Sequence, residues 1–370
     1  MAMLLLNACT RGMIKGWSRS SIARYSSTTH QHLKHTGRGA SVFEKYFMLH
    51  AESSSDEIHL GGEPSNQSFF ITTPIYYVNG LPHLGHAYTS VLCDIIARFH
   101  RKDGRKVYFL TGTDEHGQKV EQSALKNDTS PILFADQVSG QFRTLAARLD
   151  CSHDDFIRTT EHRHKLAVED LWRRLEANGQ IYLGAYEGWY SVRDETFYSE
   201  GELVEGKAPT GAEVEWVKEE SYFFRLSEWK DKLLAFYEAH PDFIAPRGRR
   251  NEVVSFVTQE GGLQDLSISR TTFSWGIPVP SNPKHVIYVW LDALTNYLSA
   301  LEYPNTSSER YQQFWPASLH VVGKDILRFH AIFWPAFLMA AGLEPPKVSS
   351  VLALHLLSCY PRCISSIACL

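Results

Sequence analysis

At 370 residues, 44% of them apolar and 21% charged, the chain is long enough to bury a large core and to hold two or more domains. No run reaches the roughly 18 apolar residues that a membrane-spanning helix needs. The nearest, Phe329 to Leu343, contains His330 and Pro335 and reads as a buried helix, so no membrane partner is expected. Net charge is −4, yet residues 1–43 carry six cations and no acid, which leaves the body at −10, a poor general surface for nucleic acid.

Those first 43 residues hold Arg11, Lys15, Arg19, Arg24, Lys34 and Arg38 among many serines and threonines. That composition is that of an organellar transit peptide. The mitochondrial matrix is the first expected destination, with a plastid, or both, as alternatives. A disordered basic arm that touches nucleic acid is the competing reading. Residues 44–66 (AESSSDE, GGEPSNQ) read as a flexible lead-in. Six cysteines (Cys9, Cys93, Cys151, Cys359, Cys363, Cys369) include no C-x-x-C pair, so neither a zinc knuckle nor a disulfide framework is indicated.

Residues 67–178 alternate strand and helix, the pattern of a doubly wound parallel α/β sheet. Phe69 to Thr73 is a β-rich run that breaks at Pro74. After the turn signal Asn79-Gly80 comes Pro82-His83-Leu84-Gly85-His86. From Ala87, Val91, Leu92, Ile95, Ile96 and Phe99 recur at helical spacing. A helix start offers free N–H groups and partial positive charge, a natural anion site. His83 and His86, three positions apart, can donate there to phosphate oxygens, and Gly85 lets a nucleotide approach the backbone. Neither a G-x-G-x-x-G fingerprint nor a G-x-x-x-x-G-K-[ST] loop is present.

A second strand, Lys106 to Leu110, leads into Thr111-Gly112-Thr113-Asp114-Glu115-His116-Gly117. Helices are expected over Gln118–Asn127, from Pro131 to about Arg148, and over His162–Asn178, with a strand at Phe156–Thr160. Residues 179–248 are rich in Tyr, Trp, Gly and Glu and read as an insertion, with one helix over Ser227–His240. The α/β pattern resumes at 249–347. Val286 to Trp290 reads as an apolar strand, followed by Leu291-Asp292-Ala293-Leu294. His320 to Val322 is a strand ending in Gly323-Lys324-Asp325, and a helix from Ile326 presents Phe329, His330, Phe333 and Trp334. Four strand ends thus supply a ligand-facing set at one sheet edge.

The run PIYYVNGLPHLGH resembles the His-Ile-Gly-His signature of class I aminoacyl-tRNA synthetases, in the form methionyl-tRNA synthetases carry. The resemblance covers roughly Ser68 to Lys347. It implies a Rossmann-like catalytic domain with a connective-peptide insertion, and ATP-dependent activation of L-methionine for transfer to tRNA(Met). By resemblance, Asp114 pairs the substrate ammonium, while Ile75, Tyr77, Trp290, Ala293, Leu294, Tyr297 and His330 line the methionine pocket. Many members have proline where Leu294 stands. Gly323 and Asp325 match adenine and ribose contacts; His83, Gly85 and His86 match the phosphate site. Arg270 matches an arginine assigned to the substrate carboxylate or phosphates. ATP is expected with Mg²⁺ held mainly by its phosphates. Many members also bind zinc through cysteines in the insertion, whereas GWYSVRDETFY resembles the zinc-free form, so no protein-bound metal is expected.

A Lys-Met-Ser-Lys-Ser loop and a helical anticodon-binding domain follow in the family and have no match here. Residues 348–370 read as a divergent tail, like translated non-coding sequence or a shifted frame. The expectation is a catalytic region that, taken alone, binds methionine or adenosine weakly and does not charge tRNA. A non-enzymatic truncated isoform or gene-model artefact, or another class I synthetase, are the competing readings.

Overall fold

The computed structural model describes residues 67–352, apart from 194, 195, 199 and 260. The expected transit peptide, the lead-in up to residue 66 and the tail beyond residue 352 lie outside the described residues. Strand β1 (Ser68–Thr72) is followed by the short β2 (Tyr76–Tyr77), helix α1 (Leu84–Lys102) and β3 (Lys106–Asp114). Helices α2 (Gln118–Lys126) and α3 (Pro131–Arg148), strand β4 (Asp155–Arg158) and helix α4 (His162–Ala177) complete the first half. Local chemistry accounts for these ends. Ser130 caps α3, its hydroxyl accepting from the Leu133 amide, and Pro131 supplies a first residue whose missing N–H costs nothing there. On α4, Val168, Leu171, Trp172 and Leu175 recur at helical spacing and are fully buried.

A long antiparallel ribbon follows, made of β5 (Ile181–Ser191), β6 (Thr196–Tyr198) and β7 (Glu215–Phe224). Helix α5 (Lys230–Ala239), strand β8 (Ile244–Ala245) and helix α6 (Arg247–Thr258) come next. The short strands β9 (Leu266–Ser267), β10 (Ser269–Arg270) and β11 (Pro278–Val279) precede β12 (Asn282–Ile287). Two short helices, α7 (Val289–Leu294) and α8 (Asn296–Ser299), lead through α9 (Glu309–Phe314) to β13 (Leu319–Gly323). A π-helical turn at Phe329–Phe333 runs into α10 (Trp334–Ala340), and β14 (Ser349–Leu352) is the last described element.

The main sheet is parallel throughout. β3 pairs with β4 and with β1; β13 lies on the other side of β1, followed by β14 and β8. β2 also pairs with β3, so β1 and β2 run along successive stretches of it. Between Thr72↔Leu110 and Tyr76↔Thr113 the register slips by one residue. Pro74, which lacks an N–H, falls in that slip. The chain leaves β1 towards β3 and returns much later to β13 on the opposite side. The carboxyl ends of β1, β3 and β13 therefore flank a topological switch point, where open α/β sheets bind ligands. Phe70, Leu110 and Ile157 of the sheet share one core with Leu171 and Trp172 of α4 and Trp334 and Phe337 of α10.

The structure departs from the sequence reading in three places. β3 does not stop at Leu110 but continues through Asp114, because Thr111, Thr113 and Asp114 are buried strand residues. Gly112 permits this: a Cβ there would sit 2.1 Å from the Ile157 carbonyl oxygen of β4. Second, Val286 to Trp290 is not a strand of the main sheet. β12 ends at Ile287 in a separate antiparallel sheet with β10 and β11, and Trp290 is helical. Residues 285–301 are buried on every side, so the run carries no periodicity to tell strand from helix. Third, the insertion and the main sheet interleave. β9 closes the ribbon's sheet from outside residues 179–248, while β8, inside that span, joins the main sheet. β14 likewise lies past Lys347 and pairs with β13 and β8. No helix among the described residues is long and apolar enough to cross a membrane.

Candidate active site

At the start of α1, His83 is the N-cap. Its Nδ1 accepts from the Gly85 amide at 3.1 Å, and the His86 Nδ1 accepts from the His83 amide at 3.2 Å. This reciprocal arrangement satisfies two amides that a helix start leaves open. Because each Nδ1 accepts, the proton of a neutral ring sits on Nε2, and each Nε2 is a donor. The rings stack 3.7 Å apart. Burial, and then the neighbouring His83, lower the His86 pKa to about 4, so His86 donates as a neutral imidazole. Gly85 has a local reason as well as the expected one: a Cβ there would meet His83 Cε1 at 2.9 Å and break the cap.

The β3 end carries Asp114, only 2% exposed, directly across the strand pair from Tyr77. One wall of the space beyond it is aromatic. The Tyr77 ring meets Trp290 edge-on at 6.4 Å, and Trp290 stacks flat on Phe329 at 3.5 Å and 8°. Deeper in, the buried Tyr297 hydroxyl lies 2.7 Å from His330 Nε2, while His330 Nδ1 is 3.0 Å from the Ile326 carbonyl. A carbonyl only accepts, so Nδ1 bears the proton and Tyr297 donates to Nε2. Burial lowers the His330 pKa to about 4. Ala293 and Leu294 are buried on α7, and Ile75 packs half-buried against the core. Gly323 ends β13 facing open space, with no atom within 4 Å of where a Cβ would lie, and Asp325 is exposed in the turn after it.

Arg270 lies on β10, in the small antiparallel sheet with β11 and β12. Its buried guanidinium donates to Ser267 Oγ at 2.7 Å and to the Ser269 carbonyl at 2.6 Å, and lies 4.2 Å from the Tyr288 ring. Tyr288 belongs to the same aromatic cluster as Trp290 and Phe329, so Arg270 borders that cluster.

Sequence reasoning missed three features. The sequence marks Phe329 only as a helix residue, with no sign that it stacks on Trp290. The pair Thr72–His320, 2.7 Å apart, lies under Tyr297, whose ring is 4.1 Å from His320. Third, Asp292 of α7 holds His116 Nδ1 at 2.6 Å and His164 Nε2 at 2.7 Å, and His164 Nδ1 is 2.9 Å from Ser299 Oγ. Burial pushes the Asp292 carboxyl up, but His116 and then His164 outweigh it and hold the group well below the usual carboxylate range. A lone acid in the apolar run VWLDAL was the available signal, since such residues are buried only when paired. Among the described residues no group of three or more His, Cys, Asp or Glu side chains is arranged to hold a metal ion.

A parallel sheet with a histidine-bearing helix start and a strand-end pocket at its switch point is the architecture of class I synthetase catalytic domains. The sequence model of the family described as tRNA synthetases class I (M) matches residues 69–215 and 210–365, and the chain belongs to that family. It is 66% identical over 283 residues to the methionine–tRNA ligase of Rickettsia conorii, covering 76% of this chain and 55% of that one. With the methionine–tRNA ligase of Mesorhizobium japonicum it shares 55% over 288 residues, again 76% of this chain and 55% of that one. The crystal structure of Mycobacterium tuberculosis methionyl-tRNA synthetase bound by methionyl-adenylate superposes with a TM-score of 0.75 at 54% identity, covering 77% of this chain and 57% of that one. The chain thus spans about half the length of the curated relatives it matches.

Proposed function

We propose that this chain carries the activation step of a methionine–tRNA ligase: L-methionine and ATP give methionyl-adenylate and pyrophosphate, and in the full-length enzyme the methionyl group passes to tRNA(Met). The observation that carries the reading is a helix start with two Nε2 donors at the switch point where β3 ends in the buried Asp114, together with the contacts Tyr77–Trp290 and Tyr297–His330. The similarity to a structure bound by methionyl-adenylate supports it. A methionine carboxylate oxygen attacks the α-phosphorus; the new anhydride forms as the bond to pyrophosphate breaks. No protein nucleophile is needed, so the work is alignment and charge stabilisation.

In this reading Asp114 pairs the ammonium, a charge-assisted bond. Ile75, Tyr77, Trp290, Ala293, Leu294, Tyr297 and His330 enclose the thioether, whose sulfur gains about 0.3–1.5 kcal/mol per aromatic contact. Gly323 and Asp325 receive the adenosine, His83 and His86 donate to the phosphates, and Arg270 acts on the carboxylate or phosphates. Mg²⁺ arrives with ATP as part of the substrate. The insertion has no thiolate to offer zinc, since no cysteine lies between Cys151 and Cys359.

Methionine should therefore stabilise the protein in a thermal-shift titration, by about 2.7 kcal/mol at a hundred times its Kd. Valine and cysteine should do far less, and equal stabilisation by valine would overturn the assignment. We further propose organellar action, in the mitochondrial matrix with or without plastids, from the basic, acid-free composition of residues 1–43. A reporter fused behind those residues should enter mitochondria; a uniformly cytosolic signal refutes it.

A further inference from the structure

The His116–Asp292–His164 cluster has no part in the chemistry above, although it ties the chain just past the β3 end to α7, the elements that carry Asp114 and Trp290. His116 follows Asp114 by two positions. Along an extended chain such residues face one side and the residue between them faces the other. Glu115 does face away, accepting from Arg158 at 2.6 and 3.0 Å and from Thr160 at 2.6 Å. On its own side His116 meets Asp292, which stands on α7 between Trp290 and the pair Ala293–Leu294. All three members of the cluster are 3% exposed or less.

The cluster dictates a tautomer. An ionised carboxylate only accepts, so the His116 Nδ1 facing Asp292 bears the proton, and a neutral ring keeps its lone pair on Nε2. His164 holds the second Asp292 oxygen, which prevents the carboxylate from turning away. Among the described residues His116 Nε2 makes no hydrogen bond. A substrate ammonium brings three tetrahedrally directed N–H donors, and a single carboxylate does not accept from all three at once.

We propose that His116 is a second acceptor for the ammonium of the amino-acid substrate, its Nε2 working beside the Asp114 carboxylate while Asp292 and His164 hold the ring in the accepting tautomer. This rests on the reading of Asp114 given above. Asp292 and His164 are positioning residues; His116 touches the substrate.

The experiment measures binding of L-methionine and of its analogue lacking the amino group, 4-(methylsulfanyl)butanoate, to the full chain and to His116→Asn. The asparagine amide keeps a donor for Asp292 and has no acceptor at the Nε2 position. Methionine should bind the variant about ten- to a hundredfold more weakly, the worth of a hydrogen bond to a charged group, while the analogue binds both proteins equally. An unchanged methionine affinity overturns the inference, as does an equal loss for both ligands, which marks a general distortion. Should the unaltered protein fail to bind methionine at all, the pocket reading falls together with the inference. A second measurement needs no variant. With ring-nitrogen-labelled histidine, methionine should move the His116 Nε2 resonance and the analogue should not; a resonance unmoved by methionine overturns the proposal.

Discussion

Alanine in place of His86 should slow methionine-dependent ATP–pyrophosphate exchange by about 10²–10³-fold, the usual cost of removing one preorganised donor at a transition state. Methionine affinity should stay within about twofold, because His86 lies at the phosphate end. The side chain also accepts from the His83 amide, so part of the loss could be mistaken for a frayed helix. Asparagine at position 86 separates the two, since its amide can keep the cap while the Nε2 donor is gone. The pH profile is a further check. With a pKa lowered to about 4, His86 is neutral from pH 5 to pH 8, and its contribution to rate is flat across that range. A His86-dependent rate that falls between pH 6 and pH 7 would mean that the imidazolium is the donor, against this account.

The largest effect on stability is expected from Asp292→Ala. It strips two buried histidines of a shared partner and leaves a carboxylate-sized void between them. Leaving two buried N–H donors without their shared acceptor costs about 2–6 kcal/mol together. For a chain of this size that is a fall of roughly 3–8 °C in the thermal midpoint. The sign of the pH dependence follows from the depressed pKa. A carboxyl held below its unfolded value of about 3.9 contributes fully above that pH and loses its contribution only below it. The gap between the two proteins should therefore persist from pH 8 to about pH 4 and narrow below. A midpoint within 2 °C of the parent would show that the cluster carries little of the fold.

Legibility followed the physics of each segment. The α1, α3 and α4 helices were readable because each is amphipathic and marked at its ends, by Asp103-Gly104, Ser130-Pro131 and Asn178-Gly179. His83, His86 and Asp114 were marked by motifs beside strand ends, whereas Tyr297 and His330 stood out only through the family resemblance. The run Val286 to Trp290 misled because burial on all sides erases the polar face that distinguishes the two periods. Two-residue strands such as β8, β9 and β10 have no propensity signal of their own, since a distant partner defines each one. The same holds for His116 and Asp292, 176 positions apart, whose contact no local pattern announces.

The π-helical turn at Phe329–Phe333 gives the pocket an adjustable phase. A turn closed by i→i+5 bonds holds one residue more than an α turn. Here it lets two consecutive side chains serve neighbouring parts of one wall: Phe329 stacks on Trp290, and His330 reaches Tyr297. On a regular helix, neighbours diverge by about 100°. Sliding the wide turn by one position would exchange which neighbours look inward, yet α10, anchored by the fully buried Trp334 and Phe337, would keep its seat. A lineage could in this way retune which side chain a pocket admits by moving a defect along a helix, leaving the length of every loop and the packing behind it untouched.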